Sequence, residues 1–313
     1  MIQPRQPDPG HEIAFARPLD LYASLAGLGR SGDDLIDRFD GQIVLRTLRL
    51  DDEETLVPYA AEVTDDPDRP TLTLHLPTAL EGRLPDVVDG IRASLLTERS
   101  ALASLAVSDT AVADLVRRYP GVVPILHTDP FTALIRSISA QQVNLGWATT
   151  IRARLAQGYG MRHEIGEWQV WTIHPEPLAA ASVEELRSLQ LTTAKAKSVI
   201  AVASAALAGE LHAADLQALE DEALIAHLTR IRGIGRWSAE WFLARTLGRA
   251  RVVGGDLGVR KAVGRLNGTP EIPSELETRR LTQHWGAAAT HAQALALHDL
   301  AVSPEKRPRP PAP

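Results

Sequence analysis

Two short stretches decide the fold of this chain: Leu228-Thr229-Arg230-Ile231-Arg232-Gly233-Ile234-Gly235-Arg236-Trp237-Ser238-Ala239 and Gly254-Gly255-Asp256-Leu257-Gly258-Val259-Arg260. Glycine costs roughly 1 kcal/mol relative to alanine inside a helix, so the paired glycines of the first stretch predict a tight turn. Apolar residues spaced by three or four precede and follow the turn, which predicts a helix on each side. Backbone N–H groups exposed at the start of the second helix would bind an anion such as a DNA phosphate.

The segment that spans both stretches, here called the basic stretch, is rich in arginine. From Leu228 to Arg265 the chain has nine basic and two acidic residues, whereas its formal net charge as a whole is −6. A Gly-x-Gly turn alone is most often an ordinary connection between helices. An acidic protein with one basic element, however, concentrates positive charge where a polyanion is met, which favours nucleic acid binding. The basic residues are Arg230, Arg232, Arg236, Arg245, Arg249, Arg251, Arg260, Lys261 and Arg265.

Three motifs occur in an order that is typical of one family. The hairpin and the Gly-Asp-Leu-Gly-Val-Arg element at 255–260 follow a segment at 129–143, Asp-Pro-Phe-Thr-Ala-Leu-Ile-Arg-Ser-Ile-Ser-Ala-Gln-Gln-Val. Together they resemble the helix-hairpin-helix (HhH-GPD) DNA glycosylase superfamily, and within it the 3-methyladenine DNA glycosylase II (AlkA-type) branch. The resemblance runs from about Pro120 to Leu300 and is weaker before that.

The pattern of apolar residues predicts the class of fold. Alternating residues at 42–50 and 71–76 predict strands, and amphipathic segments rich in Ala, Leu and Arg predict helices beyond about residue 106. Asp129-Pro130 predicts a capped helix start, and Gly158-Tyr159-Gly160 predicts the end of that helix.

We therefore expect an α+β fold, in which a small antiparallel β-sheet domain with helices precedes a helical region. The family resemblance implies that the helical region has two lobes and that Asp256 faces the cleft between them. The expected organisation is a mobile tail at 1–18, the sheet domain at 19–105, an all-helical HhH glycosylase region at 106–301 and a proline- and arginine-rich tail at 302–313.

The resemblance implies a monofunctional DNA glycosylase of base excision repair for alkylated, 3-methyladenine-type bases. A base inside the stack cannot be attacked, so the nucleotide is flipped out and its N-glycosidic bond is hydrolysed to leave an abasic site. Breaking this bond develops positive charge on the sugar, which a carboxylate stabilises, and Asp256 is the catalytic candidate. Trp237 stands where bifunctional relatives carry a Schiff-base lysine, so we expect no AP-lyase activity.

The resemblance also implies a set of DNA contacts. Gln142 is the candidate for the side chain that fills the gap left by the flipped base, with Gln141 beside it, and Trp237 is the candidate for the substrate pocket. The preceding residue is Ala140, where the family usually has glycine. The DNA-binding candidates are Gln141, Gln142, Arg232, Gly233, Ile234, Gly235, Arg236 and Arg260.

Each of these roles has a structural alternative. Asp256 is also a suitable N-cap for a helix from Leu257, the two glutamines suit a helix bend, and Trp237 is equally suited to core packing. The family's stacking aromatic falls near Leu297, which loses stacking with a charged base. Two other functions therefore stay open: a glycosylase for uncharged lesions such as deaminated or etheno bases, with donors from Gln141, Ser137 or Arg136, and a DNA-binding HhH protein with little catalysis.

Cofactor and partner expectations follow from composition and resemblance. The chain has no cysteine, which excludes disulfides and the four-cysteine iron–sulfur cluster of some relatives. No cofactor is required, and the resemblance implies a hairpin-bound sodium or potassium ion on the main-chain carbonyls of Thr229, Ile231 and Ile234. The expected partner is double-stranded DNA with damaged bases. The sequence shows no membrane segment, and we expect a cytoplasmic monomer that associates with the nucleoid through DNA.

Overall fold

The computed structural model describes residues 10–50, 56–64 and 66–303. Its strands are β1 (His11–Ala14), β2 (Arg38–Phe39), β3 (Ile43–Arg49), β4 (Leu56–Val63), β5 (Thr71–His75), β6 (Gly160–Ile165) and β7 (Trp168–Ile173). Its first helices are α1 (Leu21–Gly29), α2 (Leu84–Ala93), α3 (Ser100–Ser108), α4 (Thr110–Arg118), α5 (Pro130–Ala140), α6 (Leu145–Tyr159), α7 (Pro175–Ala180) and α8 (Val183–Ser188). They are followed by α9 (Thr193–Leu207), α10 (Ala213–Ala218), α11 (Asp221–Thr229), α12 (Arg236–Arg245), α13 (Leu257–Leu266), α14 (Glu275–Thr282) and α15 (Ala289–Val302). Two 3-10 helices lie at Thr78–Arg83 and Gln283–Ala288.

The N-terminal part forms an antiparallel sheet in the order β1-β5-β4-β3-β2 within the described residues. β3 and β5 lie where the alternating apolar pattern predicts strands. Helix α2 packs on one face, where Gly90 lies so close to the Leu48 side chain that a Cβ would be 2.4 Å from it. Leu45 and Ala60 face the other way and form a small core with Ile165 and Val170 of the β6–β7 hairpin. The sheet is thus covered on both faces.

Three details of the expected organisation are wrong. Residues 11–14 are not part of a tail, because β1 pairs with β5, while residues 1–9 lie outside the described residues. The region at 106–301 is not all-helical, because it contains the β6–β7 hairpin, whose apolar side chains cover the sheet. The boundary at 105 falls inside α3, whose Leu102 and Leu105 pack with the C-terminal helices. At the other end α15 reaches Val302, and residues 304–313 lie outside the described residues.

The helical region has two lobes, as the resemblance implies. One core is built around α5, α6, α9 and α11, and the other combines α3, α4, α13 and α15. Helix α12 runs between them: Phe242 and Leu243 belong to the first core and Ala244 to the second. This helix begins at the glycine turn, so the turn sets how the lobes meet.

A buried cluster of charges joins the sheet domain to the first lobe. Asp37 accepts from Arg46 at 2.8 Å and lies 2.7 Å from Arg136, while Asp34 binds Arg136 and Arg152, each at 2.8 Å. Burial alone would raise the pKa of Asp37, but Arg46 and Arg136 hold it well below its ordinary value. Because removing one partner of a buried pair leaves an uncompensated charge, these contacts hold the two parts together.

His127 makes this cluster sensitive to acid. Its ring Nδ1 lies 3.2 Å from Asp37, and burial lowers the pKa of His127 to about 3. The unfolded chain binds that proton near pH 6.5, so unfolding is favoured progressively from about pH 6.5 down to about pH 3. The depressed pKa of Asp37 adds a further loss of stability only below about pH 4.

We predict that His127→Gln flattens the fall in melting temperature between pH 6.5 and pH 4, because the variant removes the group that must stay neutral. Thermal unfolding followed by circular dichroism at several pH values measures the slope. His11→Gln, at an exposed position in β1, is the matched control and should retain the wild-type slope. Equal slopes in all three proteins would contradict the assignment.

Candidate nucleic-acid interface and active site

The glycine turn between α11 and α12 is a tight hairpin. Gly233 has φ +85°, a left-handed conformation that favours glycine, and a Cβ added there would lie 1.9 Å from Ser198 Oγ of α9. Ile234 is buried, and its N–H donates to the Ile231 carbonyl at 3.1 Å. Gly235, in contrast, is exposed and has open space around its Cβ position. The turn is therefore pressed against α9 on one side and open on the other.

The N-terminus of α12 lacks a side-chain cap. Its N-cap residue is Gly235, whereas α5, α6, α9 and α13 are each capped by a side-chain oxygen. Among the described residues, the N–H groups of Gly233, Gly235, Arg236 and Trp237 have no backbone acceptor. Uncapped N–H groups at a helix N-terminus are suited to a phosphate. The predicted donors are thus present, except for that of Ile234, which closes the turn.

The candidate wedge lies at a break between α5 and α6, where the sequence predicts one helix. Gln142 has φ +55° and is exposed. Gln141 is half-buried and its side-chain amide donates to the Gly233 carbonyl at 2.9 Å and to Ser238 Oγ at 3.2 Å. Gln141 therefore links the break to the hairpin, and Gln142 is the one of the pair that projects from the surface.

Asp256 is held at the start of α13. Its Oδ1 accepts from the Val259 N–H at 2.9 Å, which is an N-cap, and its Oδ2 accepts from Trp237 Nε1 at 3.3 Å. The carboxylate is half-buried. Each oxygen has one protein donor, so lone pairs remain for a water or for a positive charge. The N-cap and the candidate catalytic role are therefore compatible.

The two glycines before Asp256 pack closely against α14. A Cβ on Gly254 would lie 2.9 Å from the Arg279 side chain, and one on Gly255 would lie 3.2 Å from Glu275. Arg279 binds both Glu275 at 2.8 Å and the buried Glu240 of α12 at 2.7 Å. This support for the loop was missed from the sequence, although Glu275 and Arg279 have the i,i+4 spacing of a helical ion pair.

The basic stretch offers fewer unpaired cations for DNA than its composition indicates. Four of its arginines pair with acids outside it or with Glu240. Arg236 is exposed but binds Glu222 at 3.1 Å and Glu240 at 3.0 Å. The hydrogen bond to Glu222 is the main reason that the pKa of Arg236 is raised. Arg232 is exposed, and Arg260 is half-buried and donates to the Pro273 carbonyl at 2.7 Å. The paired arginines are Arg236, Arg249, Arg251 and Arg265.

The candidate pocket residues Trp237 and Leu297 are half-buried and also pack against the second core. Trp237 and Leu297 both lie beside Asp256: Trp237 donates to its carboxylate, and Leu297 comes within 3.5 Å of the Cβ position of Gly258. Trp285 is 2% exposed and belongs to the second core. Trp147 is exposed at the start of α6, where the Arg154 guanidinium lies 5.3 Å from its ring centroid.

The hairpin carbonyls fit a monovalent cation only in part. Those of Thr229 and Ile234 accept no backbone N–H among the described residues, whereas Ile231 already accepts from Ile234. No group of three or more His, Cys, Asp or Glu side chains suited to a metal occurs within residues 10–50, 56–64 and 66–303. None of the helices described there has the length and apolar character that crossing a membrane requires.

A helix–turn–helix against α9, an uncapped helix start and a carboxylate on the next helix define a class of protein. Residues 135–288 match the family model of the HhH-GPD superfamily base excision DNA repair protein. This match covers about half of the chain, which is similar there to the helix-hairpin-helix superfamily. Within the superfamily, the relatives named below are 3-methyladenine glycosylases.

DNA-3-methyladenine glycosylase 2 of Escherichia coli is 30% identical over 191 residues, which are 60% of this chain and 65% of that protein. The structure of a 3-methyladenine DNA glycosylase from Archaeoglobus fulgidus superposes with a TM-score of 0.77 at 22% identity, covering 94% of this chain and 99% of that one. The Schizosaccharomyces pombe 3-methyladenine DNA glycosylase in complex with abasic DNA gives a TM-score of 0.56 at 24% identity, covering 64% and 96%. This chain spans less than two thirds of the Escherichia coli protein and 64% of a Bacillus subtilis relative.

We predict that Gly233→Ala lowers the free energy of unfolding by about 2–4 kcal/mol, because it combines backbone strain with a clash against Ser198. Gly235→Ala is the matched control and should change it by less than about 1 kcal/mol, since the position is open and has φ −97°. Urea unfolding measures both. A Gly233→Ala variant as stable as Gly235→Ala would show that the turn relaxes freely.

Proposed function

We propose that this protein is a monofunctional DNA glycosylase of base excision repair that releases alkylated bases of the 3-methyladenine type. The observation that carries the proposal is the position of Asp256. Its carboxylate is fixed by the Val259 and Trp237 N–H groups on the helix that follows the hairpin. The names of the relatives support the substrate class, and the abasic DNA bound by the fission yeast protein supports the partner.

DNA binding would begin at the hairpin. The free N–H groups at the start of α12 would hold a backbone phosphate without reading any base, and exposed Arg232 would add charge. Gln141 fixes the wedge relative to that phosphate through the Gly233 carbonyl. Gln142, which projects at the helix break, would then fill the space that the flipped nucleotide leaves.

Bond cleavage would depend on Asp256. As the N-glycosidic bond breaks, its electron pair leaves with the base and positive charge develops on the sugar, where a fixed carboxylate is stabilising. Water attacks the sugar carbon, and the carboxylate orients that water or accepts its proton. A cationic alkylpurine leaves without prior protonation, so one carboxylate is sufficient. The product is an abasic site.

A sodium or potassium ion on the hairpin is a further part of this proposal. The Thr229 and Ile234 carbonyls would hold it, with Ile231 as a shared ligand, and the ion would add positive charge near a bound phosphate. The rest of the proposed chemistry lies with Asp256 and the DNA contacts.

We predict that Asp256→Asn loses base release from dimethyl sulfate-treated DNA by on the order of a hundredfold or more. Asparagine caps a helix as well as aspartate does, so the fold and the hairpin should be retained while the charge is lost. Chromatography of the freed bases measures release, and a gel shift measures DNA binding. Leu257→Ala, at an exposed neighbouring position, is the control.

Absence of base release by the wild-type protein, with DNA binding intact, would favour the binding-only alternative. Release from etheno or deaminated DNA but not from methylated DNA would favour the glycosylase for uncharged lesions. Full activity of Asp256→Asn would show that the Asp256 carboxylate has no role in bond cleavage.

We predict that borohydride traps no covalent complex between this protein and DNA, because Trp237 occupies the position of the Schiff-base lysine. The Lys195 ammonium lies near the wedge, where burial lowers its pKa and thus favours the nucleophilic neutral amine, but it is held by a hydrogen bond to the Ser139 carbonyl at 2.8 Å. Denaturing electrophoresis after reduction measures adducts, with a known glycosylase/lyase as the positive control. An adduct that disappears in Lys195→Met would overturn the prediction and identify the amine.

A further inference from the structure

Glu240 of α12 is a buried carboxylate that binds two separate parts of the candidate site. It is 1% exposed, and each of its oxygens accepts from a different arginine. Its Oε1 accepts from Arg236 Nε at 3.0 Å, and its Oε2 accepts from the Arg279 guanidinium at 2.7 Å. Arg236 is the first residue of α12, directly after the glycine turn, whereas Arg279 belongs to α14. One side chain therefore bridges the hairpin and α14.

The Arg279 end of this bridge supports the loop that carries Asp256. The Arg279 side chain packs on Gly254, two residues before Asp256, so closely that a Cβ on Gly254 would lie 2.9 Å from it. The hydrogen bond from Glu240 is the main reason that the pKa of Arg279 is raised, so the guanidinium stays charged. The position of the loop thus depends on where Glu240 holds Arg279.

The Arg236 end of the bridge lies at the candidate phosphate site. The N–H of Arg236 has no backbone acceptor among the described residues, and its side chain is 53% exposed. Its other partner, Glu222, is 66% exposed, and exposed ion pairs are weak, so a DNA phosphate can displace that carboxylate. Glu240 is buried behind Arg236 and is not displaced in this way. The bridge therefore persists when a phosphate binds the hairpin.

Stability is a poor explanation for burying this carboxylate. Removing a charge from water offsets much of its attraction to its partners, and an apolar side chain of similar size is often as stable. Two charge-assisted hydrogen bonds do fix geometry, because each constrains both distance and direction. Geometry matters here, since a misplacement of about 1 Å in a catalytic site can slow a reaction by about a hundredfold.

We propose that Glu240 is a positioning residue that holds the Asp256 loop at a fixed distance from the hairpin, acting through Arg279. This inference rests on the proposed glycosylase function and adds a residue on which its chemistry depends without contact with DNA. A phosphate bound at the hairpin fixes the DNA, and the bridge fixes the Asp256 carboxylate relative to the same point. Loss of the bridge leaves DNA binding intact and misplaces the carboxylate.

Glu240→Gln tests the bridge, because an amide has one acceptor oxygen and can serve only one of the two guanidinium groups. We expect the single-turnover rate of base release from dimethyl sulfate-treated DNA to fall by on the order of tenfold. The affinity for DNA, measured by gel shift, should stay close to that of the wild type. With protein in saturating excess this rate does not depend on the folded fraction, so a merely structural role would leave it unchanged.

Glu222→Gln is the matched control, because it removes the other acid from Arg236 without contact with the Asp256 loop. It should keep the wild-type single-turnover rate. Arg279→Met breaks the same bridge from its other end and should lower the rate as Glu240→Gln does. Combining Glu240→Gln with Arg279→Met should add no further loss, since residues that act through one interaction are not additive.

An unchanged rate in Glu240→Gln or in Arg279→Met overturns the proposal. An equal fall in Glu222→Gln also overturns it, because the effect would then come from Arg236 alone. Losses that multiply in the double variant would show that the two residues act independently, which overturns it as well. Absence of base release by the wild-type protein would instead overturn the glycosylase function, and this inference with it.

Discussion

The close approach of the Gly233 turn to Ser198 is the constraint on which the site depends. It fixes the start of α12 against α9. Helix α12 then places Trp237 against Asp256, and it places Glu240 where it binds Arg279, which packs on the loop that carries Asp256. The Gln141 amide ties the helix break to the same turn. The candidate phosphate, wedge and carboxylate positions thus depend on one contact, between the Gly233 backbone and the Ser198 side chain, and a side chain at residue 233 would disturb all three.

The local elements of the site could be predicted from the sequence, because their signals are short-range. The paired glycines predict the hairpin, and the Asp256 cap predicts α13 from Leu257 to Leu266. The partners of the basic residues could not be predicted in this way. Asp221 and Glu222 lie before the basic stretch in the chain yet neutralise Arg249, Arg251 and Arg236 after the helices pack. Local charge predicted the interface, but only the fold shows which cations remain available.

Contacts between residues that are distant in the chain also explain why parts of the predicted domain organisation are wrong. β1 is four residues long, and its pairing with β5 is a contact across about sixty residues that no local pattern encodes. The sequence does not predict the β6–β7 hairpin, because the segments around it are helical. Its apolar residues pack against Leu45 and Ala60, which are distant in the chain. Arg245 was counted only as part of a basic run, although its lack of a partner is visible once α12 is placed between the lobes.

The buried ion pairs have a consequence for how this protein can be divided. The segment that matches the superfamily, residues 135–288, contains Arg136 and Arg152, whose carboxylate partners Asp34 and Asp37 belong to the N-terminal part. Taken alone, that segment would leave guanidinium groups unneutralised and the apolar face of the β6–β7 hairpin bare. The region recognised by sequence similarity is therefore not a module that recombination could transfer to another protein intact; the sheet would have to move with it.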